Sequence, residues 1–287
     1  MNRTRTWPAN SPRTWSANRP RTWPAHVLLA AGALVMLAPF AWQVVVALQT
    51  LPDSLRVPPK FTPSWQWSNF ADVFRSVPLA RQFLNTVVVT AAVTAGQLLL
   101  CSLAAYAFAR LRFPGRGAIF LLFLAVLMVP GELFIIPRYE IMQGLGWLNT
   151  LQALIAPGVF GAFGTFLLRQ FFLTLPKELD EAARLDGANP LQVYWHIMLP
   201  LVRPGLLALG LLTVMWSWSS LLWPLVVNTD PEMMTLSAGL ASLRGQFQTN
   251  FPILFAGSVV ASLPVIALFI VLQRHLIAGI AFTGSKG

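Results

Sequence analysis

Long apolar segments separated by short charged segments make up most of the chain after residue 26. A helix needs about 20 mostly apolar residues to cross the hydrocarbon core of a bilayer. Six segments reach or approach this length, at residues 27–48, 84–109, 118–136, 151–168, 205–227 and 251–272. The pattern predicts an all-α membrane protein with six transmembrane helices.

The same pattern divides the chain into four parts. Residues 1–25 are predicted to be a basic, disordered tail, since Arg-Thr-Trp recurs at Arg5, Arg13 and Arg21 among prolines that block a continuous helix. The tail either touches anionic headgroups or is a dispensable extension. Residues 26–80 hold the first span and an external loop, residues 81–275 the transmembrane core, and residues 276–287 the C-terminal end.

Charge is scarce and unevenly placed. Only 10% of the residues are charged, 56% are apolar and the mean hydropathy is +0.63, whereas about a quarter of a soluble domain is charged. Fourteen of the 20 Lys and Arg residues fall on one side of the predicted spans and six on the other. Because positive residues accumulate in cytoplasmic loops, both termini are predicted to be cytoplasmic. The net charge of +10 therefore does not indicate nucleic acid as a partner.

The loop between the fourth and fifth predicted spans, residues 175–200, has the local signals of two short helices. Pro176 suits a first helical turn, and Arg184 is expected to pair with Asp180 or Glu181 one turn earlier. Gly187 is well placed to end the first helix in a left-handed conformation. The loop is therefore predicted to begin with a short, charged helix.

Three further residues predict the second helix of this loop. Asn189 is a good N-cap, with Pro190 at the first helical position and Gln192 at the third. Pro200 should end or kink that helix. Small side chains at positions 182 and 183 leave one side of the hairpin shallow, so another surface could approach closely; the alternative is a stable loop without a partner.

The loop also carries a motif. Glu181-Ala182-Ala183, Gly187 and Ile197-x-Leu199-Pro200 resemble the EAA loop of permeases in binding-protein-dependent ABC importers. Further matching segments are Asn85-Thr86, Ala104 to Arg110, Phe113 to Arg116, Met128 to Pro130, Phe163 to Arg169, Leu222 to Leu225 and Ala261 to Pro264. Together, over about residues 26–287, they are similar to carbohydrate-type permeases, such as the second permease of maltose-type systems and glycerol-3-phosphate permeases.

The resemblance implies a type I ABC importer permease fold in the bacterial plasma membrane. It implies a second permease as heterodimer partner, two ATPase subunits, an extracytoplasmic solute-binding protein and a sugar-like substrate. This chain would bind no cofactor, since ATP and Mg²⁺ would be used by the ATPase subunits. The residues expected to couple to the ATPase are Glu181, Ala182, Ala183, Arg184, Asp186, Gly187 and Pro200.

Polar residues at membrane depth mark transport pathways by default. The candidates for the translocation path are Gln97, Glu132, Trp218, Ser219 and Ser220. Trp216, Trp218 and Trp223 could offer faces to sugar rings, or they simply pack or anchor at the interface. Glu132 could instead be a solvated loop carboxylate.

The charge of the predicted spans bears on the solute. They hold no Lys or Arg at clear mid-depth, which favours a neutral sugar over a phosphorylated solute such as glycerol-3-phosphate. Ser219 stands where many relatives have Asn after the Trp, and this departure leaves the solute open.

A membrane-embedded transferase is the alternative from another class. Asp186-Gly187-Ala188 faintly resembles the start of a phosphatidyltransferase metal motif, but the next span lacks the further aspartates that such a site needs. The three histidines are scattered, and the single cysteine, Cys101, lies in an apolar segment where packing is its expected role. No catalytic residue and no metal site is predicted.

Overall fold

A computed structural model describes residues 23–244 and 249–281. These residues form helices joined by loops, with one isolated antiparallel bridge between Arg244 and Thr249, so the predicted all-α class is confirmed. The main helices are α1 (Trp23–Ala47), α2 (Ser68–Ser76), α3 (Leu79–Arg110), α4 (Arg116–Leu127), α5 (Ile135–Gly144), α6 (Leu151–Ile155), α7 (Ala162–Thr174), α8 (Glu178–Leu185), α9 (Pro190–Leu201), α10 (Arg203–Ser219), α11 (Leu222–Val227), α12 (Leu236–Ser242) and α13 (Phe251–Ala281).

The chain divides into two units, residues 1–42 and 43–287. Most of the predicted tail, residues 1–22, and the last six residues lie outside the described part. The described part of the first unit is helical from Trp23, four residues before the predicted start of the span at residue 27. Helix α1 has 25 residues and no Asp, Glu, Lys or Arg, so at about 1.5 Å per residue it is long enough to cross the hydrocarbon core of a bilayer.

The second unit holds the other candidate spans. Over the described residues, three helices are long and apolar enough to cross a membrane, namely α1, α3 and the α6–α7 segment Leu151–Thr174. Two bent helix pairs raise this number to five if each pair is one span. The sixth predicted span falls in α13, where the apolar part with described side chains is Phe251–Ala267. The six-span count stays a prediction.

The third predicted span is not straight. Residues 118–136 were expected to form one helix, but α4 ends at Leu127 and the chain bends by 97° before continuing as Gly131–Gly144. Pro130 sits at the bend; it has no N–H to donate and it disfavours a helical conformation in the residue before it. The segment after the bend carries Arg138 and packs against α11.

The fifth predicted span, residues 205–227, is broken as well. Helix α10 ends at Ser219, Ser220 is extended (φ −60°, ψ 126°), and α11 starts at Leu222. A proline ring clashes with the carbonyl four residues earlier, and Pro224 stands four residues after Ser220. At its other end α10 meets α9 at an angle of 78°, as expected from Pro200.

Helix α3 is the centre of the second unit. Its C-terminal half packs along α7 and its N-terminal half along α10. A methyl group built on Gly164 of α7 would lie 2.8 Å from Gln97 Oε1 and 3.0 Å from Cys101 Sγ, so glycine is what allows this close approach. At the N-terminal end of α3, the Asn85 amide donates to the carbonyls of Glu232 and Met234 at 2.8 and 3.0 Å.

Candidate functional site

The predicted hairpin forms as two short helices, α8 and α9. Helix α8 ends in a Schellman motif, in which Ala188 N–H donates to Ala183 at 2.9 Å and Gly187 N–H donates to Arg184 at 3.1 Å. Gly187 has φ +82°, which favours glycine because a side chain would crowd the following carbonyl. The predicted left-handed stop at Gly187 is confirmed.

The second helix of the hairpin starts with the predicted capping box. Gln192 N–H donates to the Asn189 side chain at 2.9 Å, and Asn189 N–H donates to the Gln192 side chain at 2.8 Å. Both caps use residues within a few positions of each other. The hairpin geometry is therefore determined locally by the sequence.

The hairpin presents one face to the bundle and one to its surroundings. Asp180 and Ala183 are buried, whereas Glu181, Ala182, Arg184, Asp186 and Gly187 are exposed. Leu185, at the end of α8, is 89% exposed. The exposed face thus combines two small residues, several charged groups and one leucine that has almost no contact within this chain.

Asp180 has a partner that was not predicted. Instead of pairing within α8, its Oδ2 accepts from the Arg110 guanidinium at 2.9 Å, so the expected Asp180–Arg184 pair is wrong. Arg110 is the last residue of α3 and also donates to the carbonyls of Phe172 and Leu175, both at 2.6 Å. These carbonyls belong to the end of α7, where helical partners are missing. Arg110 therefore joins α3, α7 and α8.

The second helix of the hairpin is fixed to α3 by a buried hydroxyl pair. The Tyr194 and Ser102 hydroxyls lie 2.7 Å apart, and the Tyr194 ring packs on Tyr106 at 5.4 Å between centroids. Tyr194 opens a π-helical turn in α9, and Ser102 follows a π-helical turn in α3. Such turns place side chains outside the regular helical pattern and are frequent at functional sites.

A basic cavity lies beside this junction. It measures about 580 Å³, and its charged lining residues are Arg110, Arg112, Arg116, Lys177, Asp180, Glu181 and Arg184. Five of these seven are basic, so the surface next to the exposed face of α8 carries excess positive charge.

A second cavity, which we call the Gln97 cavity, measures about 560 Å³. It is bounded mainly by α3, α7, α10 and α11 together with the residues between α6 and α7. Its polar and aromatic lining residues are Gln97, Arg138, Phe163, Thr213, Trp216, Ser217, Ser220, Trp223 and Thr235. Gln97 is held by a hydrogen bond from its amide to the Gly158 carbonyl at 2.8 Å.

Two of the five predicted path residues line this cavity, Gln97 and Ser220. Glu132 is exposed in the turn at the bend of the third span. The Ser219 hydroxyl donates to the Met215 carbonyl at 2.6 Å within its own helix. Trp218 packs on Phe83 at 5.8 Å and donates its indole N–H to Ala261 at 3.2 Å. The structure brings none of these three into the Gln97 cavity.

The cavity also contains residues that the sequence pattern missed. Arg138, two residues beyond the predicted third span, lines the cavity with its guanidinium 5.0 Å from the centre of the Trp223 ring. Thr213 lies on α10 three residues before Trp216 and four before Ser217, which are spacings of one helical turn. Pro130 predicts a break in the span, but the direction of the following segment is known only from the structure.

Within the part of the chain that the structure describes, no group of three or more His, Cys, Asp or Glu side chains could hold a metal ion. The described residues thus define a helical protein with apolar helices of membrane-spanning length. A capped hairpin lies at one end of α3, and a cavity lies beside the midpoint of that helix.

Comparison with known proteins gives the family. The family model described as "Binding-protein-dependent transport system inner membrane component" matches residues 14–281. The chain belongs to this family. It is therefore a multi-pass inner-membrane permease and not an enzyme, which removes the transferase alternative.

Two relatives illustrate the family. The chain is 40% identical over 220 residues to the arabinooligosaccharides transport system permease protein AraQ of Halalkalibacterium halodurans, covering 76% of this chain and 79% of that protein. It is 33% identical over 264 residues to the sn-glycerol-3-phosphate transport system permease protein UgpE of Yersinia enterocolitica, covering 89% and 94%.

A solved structure supports the same fold. A chain of a bacterial ABC transporter involved in the import of the acidic polysaccharide alginate superposes with a TM-score of 0.77 at 23% identity, covering 92% of this chain and 99% of that chain. The predicted fold of an ABC importer permease is confirmed.

Proposed function

We propose that this permease forms half of the translocation path for a sugar or oligosaccharide, in an importer with a second, different permease, two ATPase subunits and an extracytoplasmic binding protein. Relatives named for arabinooligosaccharides and for glycerol-3-phosphate transport support a sugar-like or polyol-like solute. ATP and Mg²⁺ are used by the ATPase subunits, and this chain binds neither. A permease for glycerol-3-phosphate or another polyol is the second candidate, favoured by the relative with the greater coverage.

The hairpin at residues 175–200 is proposed to dock on an ATPase subunit. The observation that carries this proposal is the division of the hairpin into a face fixed to the bundle and an exposed face. Glu181 and Arg184 supply charges on the exposed face, and Ala182 leaves room for a close approach. Leu185, 89% exposed, gains burial only from a partner, and burial of a leucine is worth about 1.5–3 kcal/mol. With the hairpin in the cytoplasm, both termini are cytoplasmic too.

The route from hairpin to cavity is continuous. Helix α9 passes through the bend at Val202 into α10, and α10 supplies Thr213, Trp216 and Ser217 to the wall of the Gln97 cavity. Helix α3 makes a second connection, since it carries Arg110 at the hairpin and Gln97 thirteen residues earlier, about 20 Å along a helix. Movement of the hairpin when ATPase subunits close is thereby transmitted to two walls of the cavity, a rigid-body change between two packings.

Co-purification followed by ATPase measurement tests this proposal. The chain is expressed with candidate neighbouring subunits, purified in detergent and placed in nanodiscs. We expect ATP turnover only in the assembled complex, with a further rise when loaded binding protein is added. A chain that purifies alone and recruits no ATPase would contradict the proposed role of the hairpin.

A further inference from the structure

The Gln97 cavity contains a positive charge without a carboxylate partner. Within the described part of the chain, Arg138 is the one charged residue that lines the cavity, and no carboxylate lies within ion-pair distance of it. Arg138 is half-buried. It lies in Gly131–Gly144, the second part of a bent helix pair that is a candidate span. A charged side chain within a membrane span is costly, and it usually marks a functional site.

Arg138 is held in place by an aromatic platform. Its guanidinium lies over the Trp223 ring, 5.0 Å from the centroid, and the Trp223 indole N–H donates to the Ala153 carbonyl at 3.0 Å. A cation over an aromatic face is attracted to the ring but keeps its N–H donors free. The guanidinium is therefore fixed, and its donors remain available to a ligand.

The rest of the lining suits a hydroxylated solute with one anionic group. Gln97, Thr213, Ser217 and Ser220 provide hydrogen-bonding side chains, and Trp216, which is 60% exposed, provides an aromatic face. Arginine binds carboxylates and phosphates with two parallel hydrogen bonds. A neutral sugar has no anionic group that could pair with Arg138.

We propose that Arg138 is the subsite for the anionic group of the transported solute, an acidic sugar or a phosphorylated polyol. This inference rests on the proposed transport function and narrows its substrate class. It also reverses the expectation of a neutral solute, which depended on spans without a cation.

Equilibrium binding to the permease in nanodiscs, with whatever subunits co-purify, tests the subsite. The probes are glucuronate, glycerol-3-phosphate and glucose. We expect at least one anion to bind the wild type ten times or more tighter than glucose. R138Q should weaken that anion about 10- to 100-fold, the range of hydrogen bonds to charged groups, and leave glucose unchanged. R138K, which keeps the charge but loses the planar fork, should weaken it about three- to tenfold.

The matched control is R75Q, which removes the same charge from a side chain that is 80% exposed and lies outside the cavity. Equal weakening by R75Q and R138Q would mean general attraction of anions and overturn the inference. It is also overturned if neither anion binds the wild type better than glucose, or if R138K, which tests the same point should R138Q fail to fold, binds the anion as the wild type does.

The two levels of the proposal can fail separately. If the complex hydrolyses ATP in response to loaded binding protein while anion binding ignores Arg138, the subsite is wrong and the transport function stands. If no ATPase associates but anion binding depends on Arg138, the coupling proposal fails and the subsite stands.

Discussion

Arg110 and Asp180 form a buried ion pair between the hairpin and the bundle, and their removal gives a graded prediction. The Arg110 side chain is 4% exposed and that of Asp180 12%. Replacing Arg110 by Ala leaves a buried carboxylate unpaired and removes the donors of two carbonyls at the end of α7. Breaking a buried pair from one side costs about 3–5 kcal/mol. Replacing Asp180 by Ala leaves Arg110 with its carbonyl acceptors, so about 1.5–3 kcal/mol is expected.

Hydrogen exchange resolved by peptide is the assay, because the effect should be local to residues 175–200. A loss of about 2 kcal/mol in local stability raises the equilibrium constant for local opening roughly 30-fold, and exchange through that opening becomes faster by the same factor. R110A should accelerate exchange in the hairpin more than D180A. The double variant should cost at least about 1 kcal/mol less than the sum, since the two residues share one contact.

The exposed pair Arg75–Asp72 provides the control. Its arginine is 80% exposed, and exposed pairs contribute about 0.2–1 kcal/mol, so R75A should leave the hairpin unchanged. Additive effects of R110A and D180A, or an R110A variant with wild-type exchange in residues 175–200, would refute the reasoning.

Two other regions of the molecule give further predictions. Gly164→Ala should lower stability by about 1–3 kcal/mol, because the new methyl group would overlap Gln97 and Cys101; Gly117→Ala, where a methyl group meets nothing within 4 Å, should be close to neutral, and equal thermal midpoints in detergent would contradict this. Hydrogen bonds from Ser64 and Lys60 lower the pKa of Asp53 to about 2. A carboxyl group whose pKa is lowered by folding stabilises the folded state at pH values above its ordinary pKa, and this stabilisation is lost as the pH falls through the lowered pKa. The thermal midpoint of the wild type should therefore exceed that of Asp53→Asn at pH 5 and converge with it near pH 2. A difference in midpoint that persists near pH 2 would contradict this prediction.

The hairpin could be predicted from sequence because its determinants are local. The cap at Asn189 and the left-handed residue at Gly187 depend on groups within five positions. The partner of Asp180 could not be predicted in this way. Arg110 is 70 residues away, and the local alternative, Arg184, has the right spacing on the same helix. Helix propensity and residue spacing identify only partners that are close in the sequence, whereas tertiary packing determines that Asp180 pairs with Arg110.

The lining of the Gln97 cavity also depends on tertiary packing that a single sequence does not show. Gln97 was identified as a polar residue in the middle of an apolar helix, and it lines the cavity. Arg138 follows the predicted third span, and the sequence does not show that its segment packs against α11. Trp218 looked like a candidate for sugar contact, but its ring packs on Phe83. Which face of a helix turns inward depends on the neighbouring helices, and a single sequence does not provide them.

Transmission of ATPase movement through the hairpin is the central claim, and Gly187→Val tests it most directly. A methyl group at Gly187 would meet nothing within 4 Å, but φ is +82°, which costs a non-glycine residue about 1–2 kcal/mol and a β-branched one more. Gly144→Val is the control, because Gly144 has equally open surroundings without a left-handed backbone.

The measurement is the number of solute molecules taken up per ATP hydrolysed by the assembled complex in proteoliposomes. We predict that Gly187→Val inserts and assembles normally but hydrolyses ATP with little uptake, whereas Gly144→Val keeps the wild-type ratio. Normal uptake per ATP by a well-expressed Gly187→Val complex would contradict the account.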